Sequence, residues 1–370
     1  MRVLVTGSQG FIGKNLVVRL GEVPGYEVVC FDRGDALSSL LAKVGQADAV
    51  VHLAGENRPK DEADFEKGNA ALTRAICEAI QASGRKVPLV FASSLQAELS
   101  NPYGLSKRSG EKAVEELAAR TGNPSVIYRL PGVFGKWCKP NYNSVVATFC
   151  YNTACGVPLQ INDSSARLRL VYVDDVVSEF LLALGPAADG VRWGEVAPEY
   201  AITLGELAAR IEAFRMSRTT LVSERVGSGF LRALYATYVS YFPPSSFAYN
   251  LPRHGDERGV FVEMLKTPDC GQFSCFTAHP GVTRGGHYHH TKSEKFLVIK
   301  GSARFCFRHI MTNETFQILT SGERPQVVET VPGWAHDITN IGEDEMIVML
   351  WANENFDSQK PDTIPTKVTL

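Results

Sequence analysis

The chain has no block of basic residues, no long uninterrupted apolar run and no Cys-x-x-Cys pair. Each absence closes off a class of function. Formal net charge is −2 over 370 residues, so composition gives no support to a nucleic-acid partner. No apolar run approaches the roughly 18 residues of a spanning helix, so no membrane partner is expected. The opening Met-Arg-Val-Leu-Val-Thr-Gly lacks an apolar core of signal-peptide length and reads as a strand entering a turn. The eight cysteines (Cys30, Cys77, Cys138, Cys150, Cys155, Cys270, Cys275 and Cys306) are dispersed. That pattern predicts buried, reduced thiols in a cytoplasmic protein rather than a disulfide framework. There is no internal repeat or low-complexity tract. What remains is an ordinary globular composition, 44% hydrophobic and 21% charged, in a chain long enough for two domains.

The first half alternates apolar segments with amphipathic ones. Strands are predicted at Arg2–Thr6, Glu27–Asp32, Ala49–Ala54, Leu89–Ser93 and Ser125–Leu130, with helices at Phe11–Leu20, Asn69–Ala82, Ser109–Thr121 and Leu204–Arg215. Strands apolar throughout and separated by helices imply a parallel sheet covered on both faces. After about residue 240 the helical pattern nearly vanishes, and Tyr241–Ser246 reads as a linker. Short strands are predicted at Phe273–Ala278, Lys295–Ile299, Arg304–Arg308, Glu314–Leu319, Gln326–Thr330 and Glu345–Trp351, which suggests a small barrel or jelly roll. The expected fold is an α/β Rossmann-like, doubly wound parallel sheet in residues 1–243, followed by an all-β barrel in 244–370.

Gly7-x-x-Gly10-Phe11-Ile12-Gly13 follows the first strand and opens the first helix. Glycine there permits the tight turn, the approach of backbone to a pyrophosphate, and close helix–strand packing. The helix N-terminus then offers oriented N–H groups to phosphate. The second strand ends in Asp32-Arg33. An acid in this place holds a ribose diol and favours NAD, whereas an adjacent arginine pairs with a 2′-phosphate and favours NADP; the residues alone leave both open.

Tyr103 and Lys107 stand one helical turn apart and share a face. A neighbouring lysine is expected to lower the phenol pKa and make Tyr103 a usable proton donor. Ser94, after the fourth strand, projects at the carboxyl edge of the sheet, where ligands bind. Ser94 and Tyr103 could then hold one carbonyl oxygen while a hydride arrives from a nicotinamide.

This ordered set resembles the extended short-chain dehydrogenase/reductase family, whose members act mostly on nucleotide sugars. His52-Leu53-Ala54-Gly55, Arg129-Leu-Pro-Gly-Val-Phe-Gly135 and Tyr172-Val-Asp174-Asp175 add to the resemblance. It implies catalytic roles for Ser94, Tyr103 and Lys107. It also implies cofactor contacts from the glycine turn, Asp32, Arg33, Leu53, Ala54, Gly55 and Lys107. Two departures stand out. Only nine positions separate Ser94 from Tyr103, which points to an open pocket. Leu95-Gln96 replaces the Asp–Glu pair that follows the serine or threonine in 4,6-dehydratases, which argues for plain carbonyl reduction.

In the second half, Gly281-x5-His287-x-His289-x4-Glu294-x6-Gly301 matches the spacing of the first cupin motif, and Gly333-Trp-Ala-His336-Asp-Ile-Thr-Asn340 fits the end of the second. Alternate residues on a strand point one way, so His287 and His289 are expected to face the interior. With Glu294 and His336 they form a set suited to zinc, and also to iron, nickel or manganese. His290, Lys295 and His309 are candidates for a proton-abstracting base. Asp256–Gly259 could contact a diphosphate or close a turn.

A reductase followed by a cupin, with Gly135-Lys-Trp-Cys-Lys-Pro-Asn-Tyr-Asn-Ser144 and His287-Tyr-His-His-Thr-Lys-Ser-Glu-Lys-Phe296, closely resembles the bifunctional capsular-polysaccharide and O-antigen enzymes that make UDP-N-acetyl-L-fucosamine precursors. The resemblance implies epimerisation at carbon 3 of a UDP-2-acetamido-2,6-dideoxy-4-hexulose in the cupin. The reductase would then use NADPH to reduce the carbon-4 ketone, giving UDP-2-acetamido-2,6-dideoxy-L-talose. It also implies a homodimer, zinc, and Arg33 as the contact to the cofactor phosphate. The rival readings are a plain ketoreductase with a structural cupin and a non-catalytic NADP sensor.

Overall fold

In the computed structural model, which describes residues 1–58, 61, 63–186, 188–251, 254–256, 259–261, 264–265, 271–354 and 359–368, the first strand is apolar on both sides because both sides are covered. Val3 and Val5 pack with Leu16, Val51, Val90, Val176 and Phe180 on one face. Leu4 packs with Val50, Ile76, Phe91, Val114 and Ile127 on the other. The period-two alternation of a strand thus feeds two separate cores.

Contacts divide the chain into two compact units, Met1–Ser144 with Leu168–Ala201, and Val145–Arg167 with Ile202–Leu370. The division at residue 243 marks where helical periodicity stops; the contact division marks which elements share a core.

The first unit is built on a six-stranded sheet in the order Glu27–Phe31, Arg2–Thr6, Ala49–His52, Leu89–Ser94, Ser125–Leu130, Val191–Gly194. All the pairings are parallel. The chain leaves Arg2–Thr6 toward Glu27–Phe31 on one side and meets Ala49–His52 on the other. The crevice beyond the carboxyl ends of those strands is therefore the topological switch point where such sheets bind ligands.

The second unit holds the helices Val145–Ala154, Leu204–Thr220 and Gly229–Val239 and two five-stranded sheets. Thr203 and Glu206 cap the helix Leu204–Thr220 reciprocally. One sheet runs Ala248–Asn250, Gln326–Glu329, Glu294–Lys300, Met346–Ala352, Gln272–Ala278. The other runs Thr315–Ser321, Ser302–His309, Trp334–Asn340, Thr283–Tyr288, Ile364–Pro365. Phe247, directly after the expected linker, is fully buried, with its ring 5.2 Å from Phe307 and 5.1 Å from Trp334. Cys77, Cys138, Cys150 and Cys306 are buried as expected, but Cys155 is exposed. Glu257, Arg258 and Cys270 lie outside the described residues.

Candidate active site and metal centre

Gly7 has φ +70°, and a Cβ there would stand 2.7 Å from Ala54 Cα. The turn after the first strand and the loop after the third pass too close for a side chain. A Cβ on Gly13 would fall 2.1 Å from the Gly7 carbonyl oxygen, so the helix Phe11–Glu22 sits directly on the turn. Gly10 caps that helix without a side chain, leaving its first N–H groups open, and Phe11 and Ile12 are half-buried beside them. The Thr6 hydroxyl accepts from the N–H groups of Leu53 and Ala54, both at 3.3 Å. Asp32 accepts from the Ser8 hydroxyl and from the Gln9 N–H at 3.1 Å. Arg33 is exposed and ion-paired with Glu56, so a phosphate would have to draw it away from that carboxylate.

The helix carrying Tyr103 and Lys107 is Pro102–Thr121, seven residues longer at its start than the pattern suggested. Asn101 caps it, accepting from Gly104 N–H at 2.7 Å, and Pro102 takes the first position, where no N–H is needed. Ser94 ends its strand, accepts from Gln96 N–H at 3.2 Å and stands near enough to Tyr103 to lower its phenol pKa. The short gap between them is filled by a single 3₁₀ turn, Leu95–Glu98. A Cβ on Gly104 would meet Gln96 O at 2.1 Å, and Arg108 Nε holds Ala97 O at 2.7 Å. The segment is therefore packed tightly down onto the helix.

Lys107 is buried, donates to the Ala92 carbonyl at 2.8 Å and lies 5.3 Å from the centre of the Phe91 ring. Burial lowers its pKa to about 8 against the opposing charge of Glu111. Tyr103 departs from expectation. Burial pushes its phenol pKa up, the Ser94 hydrogen bond pulls it partly back, and the Lys107 ammonium is committed to a backbone carbonyl instead. Gly55 lies against this group, since a Cβ there would stand 2.8 Å from Asn69 Oδ1 and 3.5 Å from Lys107 Nζ. In the YVDD motif, Asp174 holds the buried Lys136 at 2.6 Å.

In the second unit the ligand atoms of His287, His289, Glu294 and His336 all lie within 4.8 Å of one another. His287 and His336 come from neighbouring strands of one sheet; Glu294 begins a strand of the other. Gly285 and Gly286, with φ +101° and +76°, sit at a β-bulge that brings His287 opposite His336. His289 Nε2 and His336 Nε2 stand 3.1 and 3.4 Å from Glu294 Oε2. Burial and the neighbouring imidazoles hold His287 near pKa 3, and Glu294 stays well below the carboxylate range: burial opposes this, but hydrogen bonds from His289 and His336 prevail. His336 Nδ1 is buried with no hydrogen-bond partner among the described residues. Three imidazoles converging on one carboxylate fit a divalent cation.

Sequence reading missed Asp362. Its carboxylate accepts from the N–H groups of His290, Thr291 and Lys292 at 2.8, 2.7 and 2.8 Å, and its carbonyl accepts from His289 Nδ1. That leaves His289 Nε2 for a metal. No spacing rule connects a residue so far along the chain to this site.

Two of the three candidate bases prove to be otherwise engaged. Lys295 lies on the opposite face of its strand from Glu294 and pairs across strands with Glu329. Burial works against its ammonium, but Glu329, Tyr235 and Tyr249 prevail and raise its pKa, so it is no base. His309 Nδ1 accepts from Met311 and Thr312 N–H at 3.2 and 3.1 Å and closes a turn. The His290 ring lies 5.6 Å from Tyr288.

Together these features define a dinucleotide-binding α/β unit bearing a Ser–Tyr–Lys group, joined to a β-rich unit with a metal-type cluster. Residues 3–194 match the NAD dependent epimerase/dehydratase family, and residues 254–364 match the polysaccharide biosynthesis C-terminal domain. The chain belongs to the NAD dependent epimerase/dehydratase family. It is 55% identical over 368 residues to a UDP-2-acetamido-2,6-beta-L-arabino-hexul-4-ose reductase of Pseudomonas aeruginosa, covering 100% of this chain and 99% of that protein. It is similar along the full length of both chains to the capsular polysaccharide assembling protein CapF of Staphylococcus aureus, with 40% identity and a TM-score of 0.68. The Bordetella bronchiseptica enzyme WbmF, solved with NAD+ and UDP, shares the fold over 58% of this chain and 77% of its own, at 21% identity and TM-score 0.52. No helix among the described residues is long and apolar enough to cross a membrane.

Proposed function

We propose that this protein is a bifunctional nucleotide-sugar enzyme. Its β-rich region, residues 244–370, read as a cupin, epimerises carbon 3 of a UDP-2-acetamido-2,6-dideoxy-4-hexulose. Its first unit then reduces the carbon-4 ketone with NADPH, giving UDP-2-acetamido-2,6-dideoxy-L-talose. The observation that carries the reductase step is the meeting of Ser94 and Tyr103 across the single turn Leu95–Glu98, beside buried Lys107 at the carboxyl edge of the sheet. Full-length similarity to a UDP-hexulose reductase supports the substrate class.

When bound, the reduced nicotinamide supplies hydride to the ketone carbon. Ser94 and Tyr103 hold the ketone oxygen, and Tyr103 gives it a proton as the alcohol forms. Lys107, anchored on Ala92, would contact the cofactor and keeps positive charge beside the site. Asp32 would hold the adenosine ribose, and Arg33, paired here with Glu56, would hold the 2′-phosphate.

His287, His289, Glu294 and His336 would hold zinc, which polarises an oxygen ligand. The ketone acidifies the hydrogen on carbon 3, so one base and one proton donor suffice for inversion there. His290, next in sequence to the ligand His289, is the candidate for that base. The functional boundary falls after residue 243, and the assembly is a homodimer.

NMR of the protein with the UDP-4-keto-hexosamine in D2O, first without and then with NADPH, tests both steps. Deuterium entering at carbon 3 before cofactor is added, followed by NADPH oxidation to a talose-configured product, is the expected result. Reduction without exchange would leave a plain ketoreductase with a structural cupin. Tyr103→Phe should keep cofactor binding while turnover falls about 10²–10⁴-fold; unchanged turnover would remove Tyr103 from the reaction.

A further inference from the structure

Glu111 is a buried carboxylate that the reaction above leaves without a part. It is 3% exposed and stands one helical turn beyond Lys107 on the same face. Its Oε1 accepts from the Ser93 hydroxyl at 2.5 Å and from Arg129 Nε at 2.9 Å; its Oε2 accepts from Arg129 Nη2 at 2.7 Å. Ser93 immediately precedes Ser94, and Ser93 and Arg129 are register partners on adjacent strands. Arg129 lies over the Trp193 ring at 4.7 Å and reaches Glu98 at 3.3 Å, in the turn that bridges Ser94 and Tyr103. One carboxylate thus ties together the end of the Ser94 strand, the neighbouring strand and the helix carrying Tyr103 and Lys107.

The groups facing Lys107 make the charge of Glu111 matter. From the strand Leu89–Ser94 come the Ala92 carbonyl and the Phe91 ring. His52 also lies within electrostatic reach, but burial and then Lys107 itself keep it neutral, with a pKa near 3. Tyr103, on the same helix, is a neutral phenol. Among these groups only Glu111 offers a formal negative charge. Burial works against the ammonium and Glu111 works for it.

We propose that Glu111 is a positioning residue of the reductase site: through Ser93 it fixes the strand end that presents Ser94, and its charge faces the Lys107 ammonium from one turn away. The proposal rests on the reductase reading for its kinetic consequence, though not for its electrostatic one. An Arg129–Glu111 pair that only clamps helix to sheet would change stability and nothing else.

The test follows Lys107 directly by ¹⁵N NMR of the full-length protein labelled at lysine, with the signal assigned by its loss in Lys107→Arg. In Glu111→Gln the Lys107 midpoint should fall by about one pH unit, as expected on losing a nearby opposite charge. The alkaline limb of kcat/KM for keto-sugar reduction should fall with it. Glu111→Asp keeps the charge and should restore most of both. Arg129→Met removes the opposing cation and should move the midpoint upward, which guards against a Glu111→Gln protein that does not fold. A Lys107 midpoint unmoved in these variants, whatever their melting temperatures, overturns the proposal. If wild-type protein reduces no keto-sugar, the reductase reading fails while the lysine titration still decides the role of Glu111.

Discussion

His287 and His336 stand directly opposite each other on antiparallel neighbouring strands, their ring centroids 4.7 Å apart. Two neutral imidazoles so close, with Glu294 reaching in from the other sheet, gain little from one another without a cation between them. Stripping metal with a chelator should therefore lower the melting temperature, and stoichiometric zinc should restore it. A ligand at 100 times its dissociation constant contributes about 2.7 kcal/mol. His336→Ala should abolish both the chelator effect and metal retention. A melting curve indifferent to chelator and zinc would exclude a metal at these residues.

Asp362 acts on the same cluster from outside it. Asp362→Ala should free the loop 290–292 and leave His289 Nδ1 without a fixed partner. Metal affinity, measured by competition with a chromophoric chelator, should weaken about 10–100-fold. An unchanged affinity would mean that His289 is held by its own packing.

The glycine turn offers an internal control. Gly13→Ala places a methyl 2.1 Å from a backbone oxygen, whereas a Cβ on Gly21 of the same helix meets nothing within 4 Å. Gly13→Ala should lose nicotinamide binding, read by fluorescence, and lower stability. Gly21→Ala should bind normally and gain about 0.5–1 kcal/mol. Equal behaviour of the two variants would contradict the packing of helix on turn.

His52 sets an acid limit. It is bracketed by the Thr6 and Thr73 hydroxyls at 2.7 and 2.9 Å, stacked on Phe91, and lowered by burial from 6.5 to about 3. The unfolded chain takes up a proton near pH 6.5 that the folded one refuses. The contribution is intact above that pH and is lost as pH falls from 6.5 toward 3. His52→Gln should therefore lose less stability than wild type between pH 7 and 5, despite starting lower. Parallel urea midpoints across that range would show that His52 is not the group responsible.

Much of this was legible in the sequence, for identifiable reasons. The parallel sheet could be read because strands covered on both faces are apolar over most of their length, and the facing of His287 and His289 because alternate residues of a strand share a side; Glu294 and His336 could be read only through the resemblance to cupin motifs. The helix of Tyr103 begins seven residues before its periodic pattern does, at Asn101-Pro102, a cap followed by a favoured first residue. Lys295 is no base for a reason that period two already carries: it falls on the far side of its strand from Glu294. The positions of Asp362 and Arg129 were not legible, because their partners lie on distant segments and only the fold brings them together.

The alternation of Glu294 and Lys295 also proofreads strand pairing. A one-residue slip turns every side chain to the other face. Here it would drive an ammonium among the imidazoles and set Glu294 against Glu329, leaving Arg218 as the one cation known to reach that second carboxylate. The wrong alignment is thus penalised twice, at both faces of one strand, before any ligand arrives. A stretch whose apolar residues would tolerate either face is held to one register by two adjacent charges of opposite sign.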